Sequence, residues 1–268
     1  MESLLYQVDG HIATITLNRP AKLNAFDPET VVRLAGAWDE VERNDNVRVA
    51  IITGAGDKSF SIGADFNRLT PLGTGARPPE DEWDRKFLEP GTGDRAMLRH
   101  GHALSKPLIA AINGFCFAGA LEFMTATDIR VASESASFAL QEARWALVPA
   151  RGGLARLPRQ IPQCRAIEMM LTGSRFTAAE ALQMGLVNYV VPADQVMPKA
   201  REIAEVIASN GPLAIRLIKD AVARAAGRPL AEAYAIEDEI FAEVMRSEDA
   251  REGPRSFLEK RKPVYRGR

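Results

Sequence analysis

Short runs of branched apolar residues alternate along this chain with stretches of helical periodicity. Ala13-Thr14-Ile15-Thr16-Leu17 places an apolar residue at every second position, which predicts a strand with one buried face. Asp27 and Pro28 then precede Val31, Leu34, Ala35 and Trp38 at helical spacing, so a capped helix is expected there. Val49 to Thr53 and Leu108 to Ile112 are apolar on both faces and read as strands buried between two layers. Further extended pieces are expected at Asp128 to Val131, Ser137 to Leu140 and Val187 to Val191. Thr177 is placed to cap a helix over Ala178 to Met184 that closes at Gly185. From Met197 onward the apolar residues keep helical spacing alone, in sets such as Ala200, Ile203, Ala204 and Ile207. An α/β layer architecture over residues 1–195, followed by a helical region over 196–268, is the organisation this pattern predicts. The helical region reads as a separate appendage or an oligomer contact.

Between Thr70 and Gly93 the pattern lapses into glycine, proline and charge, and a mobile surface loop is expected. Trp83 and Phe87 are its aromatic residues, placed either to fold over a ligand or to pack back on the surface.

Composition narrows the class without choosing an activity. Of the 268 residues, 46% are hydrophobic and 26% charged, with a formal net charge of -1, so no overall attraction to nucleic acid or anionic membrane is expected. Cys116 and Cys164 have neither metal-ligand spacing nor the density of a disulfide framework and read as buried free thiols. His11, His100 and His102 offer no zinc-binding spacing, so no metal site is expected. Met1 to Tyr6 runs into a strand pattern without the marks of a signal peptide, and no apolar run is long enough to span a bilayer. A cytoplasmic location is the expectation. The basic end, with Lys260, Arg261, Lys262, Arg266 and Arg268, reads as a solvated tail or a phosphate contact.

Candidate chemistry gathers at three places. In Ala110 to Glu122 a buried strand runs through Asn113-Gly114 into the small residues Ala118, Gly119 and Ala120 at a helix start, where free N–H groups suit a developing negative charge. Glu122 lies three residues after Gly119 on the same helix face. Tight strand-to-helix packing explains the small residues equally well. Gly63-Ala64-Asp65 repeats the arrangement and supplies a second potential donor. Glu142 precedes the apolar run Trp145 to Val148, where desolvation would raise its pKa toward a useful acid/base range, unless it turns out into solvent.

Taken together, the motifs resemble the crotonase (enoyl-CoA hydratase/isomerase) superfamily, most closely its enoyl-CoA hydratases. The resemblance rests on Leu17-Asn18-Arg19-Pro20 with Asn24-Ala25, on Phe60 to Asp65, and on Asn113-Gly114 with Ala118 to Glu122. Phe138 to Glu142 with Pro149 and Gly152-Gly153, and Phe257 to Lys262, complete it. It implies a crotonase-like spiral of ββα units over 1–195 that carries an acyl-CoA site. A helical trimerisation region over 196–268 would follow, in a homotrimer or a dimer of trimers. The backbone N–H groups of Ala64 and Gly119 map onto the oxyanion hole, and Glu122 and Glu142 onto the two catalytic glutamates of hydratases. Substrate contacts map onto Lys22, onto Ala64, Asp65, Phe66 and Asn67, onto Gly119, and onto Phe257 and Lys260 of a neighbouring subunit. Trp145 is a further candidate for the acyl pocket. No tightly bound cofactor is implied, coenzyme A entering as part of the substrate.

The sequence departs from the hydratase pattern at Asn67, where Lys is usual and Arg68 is a candidate to replace it, and at Ala118 and Ala120, where Gly is frequent. Arg144 and Trp145 replace small aliphatics and point away from a simple straight-chain acyl group. The activity expected is syn addition of water across the 2,3 double bond of an enoyl-CoA. Isomerisation or carbon–carbon cleavage through the same enolate is the alternative within the superfamily. Outside it stands a non-catalytic RNA- or protein-binding homologue, suggested by the basic tail and by Arg216, Lys219 and Arg224.

Overall fold

The computed structural model describes residues 2–268; Met1, the first residue of the Met1 to Tyr6 segment, lies outside the described residues. Each long apolar run is a strand of one sheet, and each is followed after a turn by a three-residue strand of a second sheet. The larger sheet holds β1 (Leu4–Asp9), β2 (Ile12–Leu17), β3 (Val49–Gly54), β5 (Leu108–Ile112), β7 (Ile129–Ser133) and β10 (Tyr189–Val191) in the order β1-β2-β3-β5-β7-β10. Only β1 and β2 pair antiparallel; the rest are parallel. The smaller sheet is ordered β4 (Ser59–Ser61), β6 (Phe115–Phe117), β8 (Ser137–Ala139) and β9 (Phe176–Thr177), with β4, β6 and β8 parallel. The chain therefore winds in a spiral, β3 to β4, β5 to β6, β7 to β8, giving one strand to each sheet per turn.

The helices fill the intervals. They are α1 (Pro28–Arg43), α2 (Leu69–Gly73), α3 (Glu82–Leu88), α4 (Thr92–Ala96), α5 (Gly119–Met124), α6 (Gly153–Arg156), α7 (Gln163–Thr172), α8 (Ala178–Gln183), α9 (Val196–Ser209), α10 (Pro212–Ala225), α11 (Leu230–Arg246) and α12 (Glu248–Leu258). Asp27 caps α1 by accepting from the Thr30 N–H, and Thr177 with Glu180 forms a reciprocal capping pair on α8.

The large sheet is buried on both faces, which is why β3 and β5 carry no polar face. Ala50, Ile52, Ala110 and Ile112 join one core with Phe60, Phe123 and Phe138. Ile51, Ile109 and Val131 point the other way, onto Val196, Ala200, Ala204 and Ala208 of α9. Alanines four residues apart let that helix lie close to the sheet. α9, on the helical side of residue 195, thus covers the sheet, whereas no residue of α10 is buried.

Two expectations are corrected. The segment from Thr70 to Gly93 is folded, not loose: Asp84 is fully buried and accepts from Arg77 Nη2 at 2.8 Å and from the Glu80 N–H at 2.9 Å, and Arg68 pairs with Asp81 at 2.7 Å. Charge in a segment expected to be a mobile loop forms a clamp around the buried Asp84. Cys116 is buried, but Cys164 is exposed near the start of α7, its apolar neighbours having turned to the other helix faces.

Candidate functional site

β4, β6 and β8 run parallel, so the segments that leave them emerge at one edge, as ligand-binding loops do at the carboxyl ends of parallel strands. Ile62-Gly63-Ala64 follows β4, Ala118-Gly119 follows β6, and Leu140-Gln141-Glu142 follows β8. A cavity of about 830 Å³ opens at this edge, lined among others by Ala64, Gly119, Glu122, Glu142 and Trp145.

Gly63 sets the approach of the first two segments. Its φ is +84°, and a Cβ there would stand 2.8 Å from Gly119 N and 2.9 Å from the Ala118 Cβ. Phe26 holds the strand end by donating to the Gly63 carbonyl and accepting from the Asp65 N–H, both at 2.8 Å. The intervening Ala64 N–H and the Gly119 N–H at the start of α5 donate to no acceptor among the described residues. Two amides are thus left free at one point of the cavity wall. Ala118 takes φ 50° and ψ -130°, a conformation that glycine accepts readily and alanine does not.

Glu122 is buried one turn along α5. Its Oε1 accepts from Arg151 N at 2.5 Å and from Gly153 N at 3.1 Å. Burial raises its pKa, opposed by those two bonds and by the Arg151 and Arg156 charges. Gly153 is required here, since a Cβ would lie 3.3 Å from Glu122 Oε1 and 2.8 Å from the Pro149 Cβ. Glu142 begins a short 3-10 turn, and its buried Oε2 has no hydrogen-bond partner. Burial, reinforced by the Glu122 charge, pushes its pKa up to about 7. Two carboxyl groups of unlike environment therefore face one cavity.

The other predicted residues divide into groups. Lys22, Asp65, Phe66, Asn67 and Trp145 all line the cavity. The Asp65 carboxylate is turned inward, pairing with Arg19 at 3.0 Å and accepting from Asn67 N at 2.9 Å, so it shapes the loop. Phe66 and Trp145 meet edge to face, 5.6 Å between ring centroids, both exposed at the cavity rim. Phe257 and Lys260 are not in the cavity wall; Phe257 is 83% exposed, so within one chain they stay apart from the site. Arg68, the candidate to take over from Asn67, is not in the cavity wall and pairs with Glu80, Asp81 and Asp84.

Two cavity residues escape a reading by motif. Arg151 reaches Glu122 through its backbone N–H, beside the motif residue Gly153 that donates to the same oxygen. Arg175 lies over Phe117 at 4.9 Å and over Phe115 at 5.6 Å, bringing a cation to the wall from near β9. Nothing local in the sequence signals these contacts, which join segments far apart in the chain.

Among the described residues no group of three or more His, Cys, Asp or Glu side chains is placed to hold a metal ion. No helix among the described residues is long and apolar enough to cross a membrane. In the basic end, Arg261 pairs with Glu252 and Glu259, and Arg268 with Glu248; Lys219 and Arg224 are likewise paired.

A parallel-stranded spiral with two free amides, a buried Glu122 and a half-buried Glu142 at one edge is the arrangement of a class of enzyme that works on a polarised carbonyl. Residues 7–268 match the family model described as enoyl-CoA hydratase/isomerase. The chain is 43% identical to enoyl-CoA hydratase EchA19 of Mycobacterium tuberculosis over 97% of its length and 94% of that relative. It is 41% identical to carnitinyl-CoA dehydratase of Salmonella enteritidis over 100% of its length and 99% of that protein. Among solved structures, the enoyl-CoA hydratase of Bacillus anthracis superposes with a TM-score of 0.89 at 36% identity, covering 99% of this chain and 100% of that one. The chain belongs to the enoyl-CoA hydratase/isomerase family of the crotonase superfamily, whose fold it has and whose enzymes act on CoA thioesters without a tightly bound cofactor.

Proposed function

We propose that the protein is an acyl-CoA hydratase/dehydratase that adds water syn across the 2,3 double bond of an enoyl-CoA. The observation that carries this reading is the pairing of unlike carboxyl groups on one cavity, Glu122 fixed by two backbone amides and Glu142 with a buried unpartnered oxygen. Ala64 and Gly119 hold the thioester oxygen, and each such donor stabilises the enolate-like transition state by ~3 kcal/mol. Glu122 orients and deprotonates the water that attacks Cβ. Glu142, protonated near neutral pH, delivers a proton to Cα on the same face, and the roles reverse for dehydration. Lys22, Phe66 and Asn67 line the path for the CoA portion, with Asp65 fixing that loop, and Phe257 and Lys260 contribute from a neighbouring subunit of a trimer or dimer of trimers.

The dehydratase name of the Salmonella relative fits the same chemistry run backwards. Turnover of crotonyl-CoA tests the reading: loss of the conjugated chromophore with formation of a 3-hydroxyacyl product is expected. Glu122→Gln and Glu142→Gln should each lower kcat by about 10²–10⁴ with binding nearly intact. An isomerised or cleaved product, or unchanged turnover in both variants, would remove the assignment.

A further inference from the structure

Arg151 enters the cavity from the turn that fixes Glu122. Its backbone N–H is tied to Glu122 Oε1, so the residue cannot drift relative to the reacting carboxylate. Its side chain lines the cavity and runs toward α4, where Nη1 lies 3.8 Å from Asp94 Oδ1 and would lie 3.8 Å from a Cβ at Gly93. The guanidinium donates no hydrogen bond to any described residue, in contrast with Arg156 beside it, whose Nη2 donates to the Met97 and Arg151 carbonyls. Asp94 is shared between two arginines, its oxygen at 3.1 Å from Arg99 and only loosely paired with Arg151. Three guanidinium groups, of Arg99, Arg151 and Arg156, thus surround two carboxylates, and the one with free donors is the one that faces the cavity.

A thioester bound with its oxygen on Ala64 and Gly119 places Cα and Cβ at the two glutamates and sends the CoA portion away on the sulfur side. The acyl carbons beyond Cβ must therefore pass Glu122, into the part of the cavity that Arg151 borders with Gly93 and Met97. We propose that the Arg151 guanidinium selects acyl groups bearing a carboxylate on those distal carbons, a substrate class that rests on the acyl-CoA reading above. A planar fork of donors matches a carboxylate with two parallel hydrogen bonds, and the side chain, 55% exposed, exchanges water for them when one arrives, a gain that an alkyl chain does not offer.

Calorimetric titration with the saturated esters glutaryl-CoA and butyryl-CoA tests this independently of catalysis, since neither ester can be hydrated. The wild type should bind glutaryl-CoA about ten times more tightly. Arg151→Met should bring the two affinities close together, and Arg151→Lys should retain part of the preference. Equal affinities in the wild type, a preference that survives in Arg151→Met, or tighter binding of an acyl-CoA bearing a trimethylammonium group would overturn the selection by Arg151. Failure of both esters to bind would overturn it together with the acyl-CoA reading, whereas failure to hydrate either crotonyl-CoA or glutaconyl-CoA with the glutaryl preference intact would overturn the hydratase reading alone.

Discussion

Partial burial makes the Glu142 carboxyl hold its proton more tightly than a free one, and the consequences appear in rate and in stability. Its pKa stands near 7 against an ordinary value of 4.5. On the proposed mechanism both directions draw on the singly protonated pair, and hydration takes up no net proton, so kcat/KM for crotonyl-CoA and for the 3-hydroxyacyl-CoA should fall together as pH rises through about 7. A carboxyl whose folded pKa is raised contributes stability below its unfolded pKa and loses that contribution as pH rises through the folded value. Glu142→Gln should therefore melt higher than the wild type by roughly 1 kcal/mol at about pH 8, with little difference at about pH 5. A thermal melt at the two pH values checks this, and an equal shift at both would remove burial of the charge as the cause. The amide pair gives a second contrast. Gly63→Ala, with its Cβ driven into Gly119 N, should cost at least about 10² in kcat. Ala118→Gly should instead raise stability by about 1 kcal/mol, because it removes a side chain from a backbone conformation that disfavours one. Chemical denaturation of both variants separates the effects.

At the scale of elements, the site depends on three short parallel strands more than on any helix. β4, β6 and β8 place Ala64, Gly119 and Glu142 along one edge, with β6 in the middle. The α2 to α4 segment closes the far wall through Leu69, Phe87, Gly93 and Met97, and its order depends on Asp84. Removing one partner of a buried ion pair leaves the other without compensation. Asp84→Ala should destabilise this segment by on the order of 3 kcal/mol. Faster hydrogen exchange confined to residues 69–96 and a raised KM are the expected readouts; exchange that increases evenly over the whole chain would contradict a local clamp. Little of this clamp was legible in the sequence. Arg68, Arg77, Asp81 and Asp84 look like solvated loop charge until the fold brings them together.

For the whole molecule, the α10 and α11 surface is incomplete in one chain. Ile218, Val222, Leu230, Tyr234, Phe241 and Met245 are exposed, on a scale uncommon for a monomer. Phe257 and Lys260 likewise face away from the cavity they are proposed to serve. Sedimentation should give a trimer or a multiple of three. Phe241→Asp combined with Ile218→Asp should dissociate it and weaken CoA-ester binding by at least about tenfold, as the neighbour's contacts are lost. A wild-type monomer with full activity would sink this arrangement.

The sequence by itself determined most of the elements outside the Thr70 to Gly93 segment and singled out the candidate reactive positions. Val49 to Thr53 and Leu108 to Ile112 could only be doubly buried strands, Asp27 and Thr177 specified their helix starts, and ordered motifs pointed to Ala64, Gly119, Glu122 and Glu142. These are local properties, set by periodicity, by capping and by backbone conformations that few residues accept. Tertiary structure decided what depends on distant segments meeting. It turned Asp65 inward to Arg19, diverted Arg68 into an ion-pair clamp, and aimed Arg151 and Gly153 at Glu122. It also raised the Glu142 pKa, which no composition or spacing contains, because desolvation is a property of the surroundings that the folded chain builds around a residue.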